Sequence, residues 1–404
     1  MKKQLLALSM VATSGLFAQN DAPMPNQSHN LNSNCDVCCC TPCCCRNPRP
    51  NIDCTCYTPP FHHLECDWGF YLDVEFLYWY ARENNVPYAA KVISVSDGNE
   101  VEAPATRTIP TELVNIDSEW DPGVRVGLGW NRDCDGWDFY LNWTYYKNSS
   151  DECSRTPEFT GSSPQENLGD QAVLSNYTSI PFDENPYYSS VKGKWVNRFN
   201  QIDLVMGRKY WLSRCFVMRP FAGLRGAWTR THLSIDAQDG PKDEQNQFKY
   251  SCVSSKDRIW GVGFVGGIEP TFYFTNCFAL YANFGISAIW GKFEEKRHES
   301  ILSGNPTVNQ IGTVSNFGNS FSHDQFVMST IIDTGIGLRW EQTWCCDRYR
   351  SALDLGWEHH NWRSHSFRYM SVDSTDGSSA LSHYVYNVSD LGYGGFVLRV
   401  KWDF

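Results

Sequence analysis

The stretch Trp68-Gly69-Phe70-Tyr71-Leu72-Asp73-Val74-Glu75-Phe76-Leu77-Tyr78-Trp79-Tyr80 decides the fold. Phe70, Leu72, Val74, Phe76, Tyr78 and Tyr80 fall on one parity, Asp73 and Glu75 on the other. Side chains of a strand alternate between its two faces, so this segment reads as a strand with one oily and one wet face. The alternation recurs along the chain. Val124, Val126, Leu128 and Trp130 oppose Arg125, and Trp137, Phe139, Leu141, Trp143 and Tyr145 oppose Asp138 and Asn142. Ile202, Leu204 and Met206 oppose Gln201 and Asp203; Ala222, Leu224 and Trp228 oppose Arg225; Trp260, Val262 and Phe264 oppose two glycines. Further on, Phe278 to Trp290 opposes Asn283 and Ser287, and Ile332 to Trp340 opposes Asp333 and Arg339. Leu353, Leu355 and Trp357 oppose Asp354 and Glu358, and Phe396 to Phe404 opposes Arg399, Lys401 and Asp403.

Repeated strands of this kind predict an all-β chain, a transmembrane antiparallel β-barrel of about ten strands. The connections alternate in length. Short ones lie at Asn131 to Asp135, around Ser213, at Thr275-Asn276 and from Thr343 to Arg348; long ones run roughly over 83–120, 148–194, 232–256, 292–325 and 365–391. Short periplasmic turns and long outer loops are the layout of an outer-membrane barrel. Twelve strands follow instead if a long loop hides a hairpin. The terminal Phe404, closing an alternating strand, resembles the targeting signal read by the barrel assembly machinery.

Composition agrees. No stretch offers the roughly 18 uninterrupted apolar residues of a membrane helix, and mean hydropathy is −0.43. Yet the chain carries 16 Trp, 20 Tyr and 23 Phe. A barrel reconciles the two, because its apolar residues are spaced between polar ones and its aromatics gather at the membrane interfaces. The formal charge of −11 excludes a basic nucleic-acid surface. Lys2 and Lys3, then the apolar run Leu5 to Phe17 and Ala18, have the layout of a secretory signal peptide. The predicted organisation is therefore a signal peptide over 1–18, a Cys-rich irregular arm in the periplasm over 19–67, and the outer-membrane barrel over 68–404.

The 17 cysteines suit an oxidising compartment. Ten lie in the arm: Cys35, Cys38, Cys39, Cys40, Cys43, Cys44, Cys45, Cys54, Cys56 and Cys66. Cys134, Cys215, Cys277, Cys345 and Cys346 lie at the short turns, so fifteen share the periplasmic side. Cys153 and Cys252 fall in the predicted outer loops, where a disulfide between them is one reading. All 17 are disulfide candidates, within the chain or to other Cys-rich envelope proteins. Cys35-x-x-Cys38 and Cys40-x-x-Cys43 also have the spacing of zinc or iron–sulfur ligands. In an exported chain disulfides are the stronger reading, and no metal or other cofactor is assigned.

The wet faces supply the candidate pore lining: Asp73, Glu75, Arg125, Asp138, Asp203, Arg225, Asp333, Arg339, Asp354, Glu358 and Arg399. Either they form a mixed-charge channel or they pair across a narrow lumen and block it. The outer connections are acidic, about −5 over 83–119 and about −6 over 148–191, which would draw cations to the mouth. His359, His360 and His365, with Asp333 and Glu358 near in sequence, are the strongest hint of an enzyme. No nucleophile signature accompanies them, so no catalytic residue is assigned. His62-His63-Leu64-Glu65-Cys66 is a similarly weak metal candidate.

The segment 68–79, with Glu119-Trp120-Asp121-Pro122-Gly123-Val124-Arg125-Val126-Gly127-Leu128-Gly129 and Asp138-Phe139-Tyr140-Leu141-Asn142-Trp143, resembles the Legionella major outer membrane protein family. The likeness extends over most of the region after residue 68. These are pore-forming outer membrane proteins that also occur in environmental relatives of the chlamydiae. The resemblance implies porin activity, passive diffusion of small hydrophilic solutes or ions, and supplies no catalytic residues. The Cys-dense arm departs from the Legionella pattern and resembles the disulfide-rich envelopes of chlamydiae. The expected partners are outer-membrane lipid, the assembly machinery, Cys-rich envelope proteins and further copies of the chain, since porins are often trimers. The alternative is a plugged structural or adhesin barrel with long surface loops.

Overall fold

The computed structural model describes residues 69–84, 87–96, 106–132, 136–155, 172–175, 188–213, 215–242, 247–275, 277–304, 315–345, 348–374 and 381–404. The predicted signal peptide and Cys-rich arm lie outside the described residues. Fourteen strands follow in chain order: β1 (Phe70–Glu83), β2 (Pro87–Ser96), β3 (Thr106–Asn115), β4 (Trp120–Asn131), β5 (Trp137–Arg155), β6 (Ala172–Ser175), β7 (Ser190–Arg208), β8 (Tyr210–Trp211), β9 (Phe216–Lys242), β10 (Gln247–Tyr273), β11 (Phe278–Gly304), β12 (Ser315–Trp344), β13 (Tyr349–Ser374) and β14 (Leu381–Asp403).

Ten of them close into an antiparallel barrel. Its order is β1, β4, β5, β7, β9, β10, β11, β12, β13, β14 and back to β1. Closure is made by β1 against β14, in register from Tyr71 opposite Asp403 to Glu83 opposite Leu391, and Phe404 N–H donates to the Phe70 carbonyl (3.0 Å). Closing the sheet satisfies every edge, the condition for crossing a bilayer as strands. The hairpin that the sequence left room for exists, as β2 and β3, but it joins β6 in a separate three-stranded sheet. The barrel keeps ten strands.

The lipid-facing parity is the one read from the sequence. Phe70, Leu72, Val74, Phe76 and Tyr78 on β1 are exposed, as are Leu224, Phe264, Phe284, Leu355 and Leu398 on other strands. Each exposed apolar side chain there is buried by lipid rather than by protein. Glycines on the inner wall leave room for rings. At Gly129 a Cβ would fall inside the Tyr71 ring, so the tyrosine lies flat against a wall that only glycine makes flat enough.

The long outer loops need correction. Much of 148–194, 232–256, 292–325 and 365–391 is strand: β9, β10 and β11 run 27 residues each and β12 runs 30. The wall stands well beyond the membrane because its apolar phase inverts. Below, the apolar side chains face out; above, Leu233, Ile235, Val253 and Phe293 face in and are buried. Outside the bilayer the outer face meets water, so its residues turn polar, and an oily-outward pattern breaks off there.

Candidate functional site

All eleven predicted lumen residues stand on the inner face. Asp73, Glu75, Arg125, Asp138, Asp203, Arg225, Asp333, Asp354 and Glu358 are buried, and Arg339 and Arg399 are partly buried. They are not an open lining. Strand parity and register bring them together as pairs, some between neighbouring strands and some across the interior, which offsets the cost of burying each charge alone.

One continuous network runs through ten ionisable groups. Arg225 donates to both Asp203 oxygens (2.8 and 2.9 Å) and to Asp333. Asp333 meets His360 Nδ1 (2.6 Å), whose Nε2 lies 3.3 Å from Glu358. Arg125 donates to Glu358 (3.0 Å) and to Glu75 (2.6 Å), with its Nε on Thr144 (3.0 Å). Glu75 also accepts from Arg399 Nε (2.6 Å). Arg399 reaches Asp354 (3.4 Å), which takes a two-pronged pair from Arg339 (2.8 Å each). Nearer the barrel base, Arg350 joins Asp403 (2.8 Å) and Glu341, and Arg219 joins Asp138 (Nε at 2.9 Å) and Glu269 (3.0 Å). Tyr140 donates to Asp73 (3.0 Å).

Above the network the filling changes to apolar. Leu77, Trp79, Tyr146, Trp195, Phe199, Leu233, Ile235, Phe293 and Tyr393 form one buried cluster. Tyr88 and Ala89, from the hairpin after β1, join it, with Tyr88 packed against the Gly193 position on β7. Tyr393 donates to Asn197 (2.8 Å) and Tyr146 to the Trp79 carbonyl (2.7 Å). The interior is thus filled by matched charges at membrane depth and by a ring-rich plug outside it.

The plug also holds charge. Arg368 bridges Glu83 (3.0 Å) and Asp257. Ser389 donates to Glu83 (2.8 Å). Burial works against the Glu83 carboxylate, but Arg368 beside it prevails and holds its pKa below the usual value. His365, deep in the same region with one ring nitrogen 2.6 Å from the Thr229 hydroxyl, is pushed down to about 4, chiefly by burial.

The histidines do not form one site. His359 and His360 are adjacent in a strand and so point to opposite faces; His360 is clamped between two carboxylates inside, and His365 bonds to Thr229. Of the three, only His360 meets the acidic neighbours named from the sequence, Asp333 and Glu358.

The chain matches the family described as Legionella pneumophila major outer membrane protein precursor over residues 65–404. It belongs to that family. This family member is accordingly an outer-membrane β-barrel protein. No curated protein matches it. Among solved structures it is similar to the outer membrane protease OmpT of Escherichia coli, at 8% identity over 85% of this chain and 99% of that one, with a TM-score of 0.36. It is also similar to the Ralstonia pickettii toluene transporter TbuX (8% identity, 83% and 90% coverage, TM-score 0.26) and to a Pseudomonas aeruginosa FadL homologue (10%, 83% and 90%, 0.25). At such identities and TM-scores these likenesses carry no functional argument.

The cysteines of this family member divide by height. Cys215 and Cys277 sit at the barrel base, their carbonyls accepting from Tyr273 (2.7 Å) and Glu341 (2.9 Å). Cys277 is in a disulfide whose other half lies outside the described residues. Cys345 is free, as are Cys153 and Cys252. A Cys153–Cys252 disulfide is excluded by register. Cys153 lies opposite Lys192, Lys192 opposite Asp236 and Asp236 opposite Cys252. That is three strand spacings, about 14 Å, twice the reach of a disulfide. Both stand on strands rather than in loops. Cys35, Cys38, Cys39, Cys40, Cys43, Cys44, Cys45, Cys54, Cys56, Cys66, Cys134 and Cys346, and the His62–Cys66 motif, lie outside the described residues.

Sequence reading missed Arg219, Glu341, Arg350, His360 and Asp403 as lumen groups. Parity could have found them: His360 and Arg350 share the phase of Asp354 and Glu358, Arg219 that of Arg225, and Asp403 that of Arg399.

Proposed function

We propose that this family member is a narrow, gated pore of the outer membrane, passing small hydrophilic solutes or ions when the plug around Trp79 and Tyr393 moves aside. The observation that carries the reading is the inner wall at membrane depth, built from acidic and basic groups in contact. A barrel with no transport task gains nothing from such a filling, since replacing buried ion pairs by packed apolar residues is often neutral or stabilising. A wall of charges rehydrates when the plug shifts; an apolar one does not. A ten-stranded barrel encloses little space, so the conductance is small. The acidic outer connections favour cations.

The test is single-channel conductance of the refolded mature chain in a planar bilayer. Small discrete steps are expected, larger or more frequent in Trp79→Ala and Tyr393→Ala. Silence from folded wild type and from both folded plug variants overturns the pore. It would favour the second reading, a structural or adhesin barrel, for which the dense packing of Tyr88, Phe199 and Tyr393 speaks.

The periplasmic cysteines support a further part of the reading, that disulfides at the barrel base tie it to Cys-rich envelope proteins or to other copies. Cys345 is exposed and free there. Non-reducing electrophoresis of envelopes is expected to give high-mass species that collapse on reduction; a monomer band without reductant overturns the tether.

A further inference from the structure

The outer wall carries a row of basic residues that the lumen does not explain. Lys147 on β5 lies opposite Arg198 on β7, Arg198 opposite Arg230 on β9, and Arg230 opposite Arg258 on β10. All four face outward and are exposed. Directly opposed like charges destabilise a sheet, and here four stand side by side on consecutive strands over about 14 Å. Among the described residues none of the four forms an ion pair with a carboxylate. The row ends at Glu294, opposite Arg258, and Glu294 is held by Lys292 (3.2 Å). Lys292 in turn also bonds Asp324 (2.6 Å), so the wall does neutralise a basic residue where it is built to. The adjoining row adds charge rather than relief: Lys256 lies opposite Lys296, with His232 on its other side.

The height of the row identifies its medium. On β5, β9 and β10 each basic residue comes two positions beyond an outward aromatic, Tyr145, Trp228 and Trp260 respectively. On β7 Asn200 separates Ile202 from Arg198. Interfacial aromatics mark the level of the lipid headgroups, so the row stands in the headgroup plane on the side of the long connections, which is the outer leaflet.

We propose that this face binds the phosphorylated headgroup of an outer-leaflet lipid. Guanidinium forks match phosphate oxygens in geometry, and neighbouring ones on the row can share a single phosphate. A lipid anchored among Tyr145, Trp228 and Trp260 would present its phosphate to the row and supply the missing counter-charge. The site is independent of whether the lumen conducts.

The test uses the mature chain folded in vesicles of equal phosphatidic acid and phosphatidylcholine, released into detergent, with retained lipid counted by native mass spectrometry. The wild type is expected to keep phosphatidic acid over phosphatidylcholine by roughly tenfold or more, given the attraction of each basic group to an anionic surface. The variant Lys147→Gln/Arg198→Gln/Arg230→Gln/Arg258→Gln is expected to fall to parity. Arg82→Gln/Arg363→Gln, which removes two outward charges elsewhere on the wall, is expected to keep the preference. Should the fourfold variant fail to fold, judged by heat-modifiable electrophoretic mobility, Arg198→Gln/Arg230→Gln is read in its place and is expected to lose most of the preference. No preference in the wild type, or one that survives in the row variants, overturns the site. A preference abolished by millimolar inorganic phosphate overturns the lipid as its occupant and assigns the row to free anions.

Discussion

Arginine occurs in this barrel in two opposite settings. Inside, Arg125, Arg219, Arg225, Arg339, Arg350 and Arg399 each meet at least one carboxylate, and most meet two. Outside, Arg198, Arg230 and Arg258 stand opposite one another on neighbouring strands. The difference teaches what each surface faces. The interior must settle its own charges, because little water reaches it. The outer wall above the aromatics leaves its charges open, because the medium there can settle them.

The sharpest way to break the comparison is to delete one arginine from each setting. Arg125→Ala leaves Glu75 and Glu358 buried without their shared partner and is expected to cost about 3–5 kcal/mol. Arg230→Ala is expected to change stability by less than about 1 kcal/mol. Urea unfolding of the folded barrel in vesicles measures both. Equal losses would mean that the lumen network is hydrated and that the filled interior described above is wrong.

A smaller effect tests where the lipid boundary lies. Leu224→Arg places a guanidinium on the lipid face of β9, six residues below Arg230 on the same side of the strand. It is expected to cost about 2–4 kcal/mol near the midplane. A loss under about 1 kcal/mol would put Leu224 near an interface and displace the basic row from the headgroups.

These contrasts also mark how far the sequence could be read. Parity alone gave the lipid face of every barrel strand, because Phe70 to Tyr78 or Phe396 to Phe404 has only one way to meet a bilayer. It also put all eleven predicted lumen charges on the inner side. What it could not give was pairing across the barrel. Arg125 and Glu358 are 233 residues apart, and nothing local distinguishes a charge that lines water from one matched to a distant partner. The outer wall was misread for a different reason. Once Leu233 and Ile235 turn inward, the oily-outward signal that defined the strands is gone, and extended wall resembles loop. The basic row was invisible for a third: Lys147, Arg198, Arg230 and Arg258 become neighbours only through register.

His365 sharpens the rule for the interior. It lies buried above the membrane level, and burial outweighs the pull of the Glu83 and Asp390 carboxylates and keeps it neutral down to about pH 4. Above its ordinary value of about 6.5 it is neutral in folded and unfolded chains alike. As pH falls from there towards 4 the unfolded chain takes up a proton that the folded chain refuses, so stability declines over that window. Between pH 7 and pH 4.5 this one group is expected to remove about 2 kcal/mol. His365→Gln should lose correspondingly less over the same range in urea titrations. An unchanged pH slope would mean that His365 is hydrated or charged in place, and that the plug is looser than its packing implies.

The smallest effect is the most discriminating, because its sign depends on the lipid. In vesicles of zwitterionic lipid alone, Arg230→Gln removes the central charge of an unrelieved row. Relief of two opposed like-charge contacts should raise stability by about 0.2–1 kcal/mol. In vesicles rich in phosphatidic acid the same arginine has a counter-charge, and its loss should lower stability by a similar amount. For Arg225→Gln no such reversal is expected, since Asp203 and Asp333 answer that guanidinium whatever the lipid. A sign change at Arg230 and none at Arg225 separates a charge completed by the membrane from one completed by the protein. The same sign in both lipids would leave the outer row as solvated surface, and the two kinds of arginine would then differ only in burial.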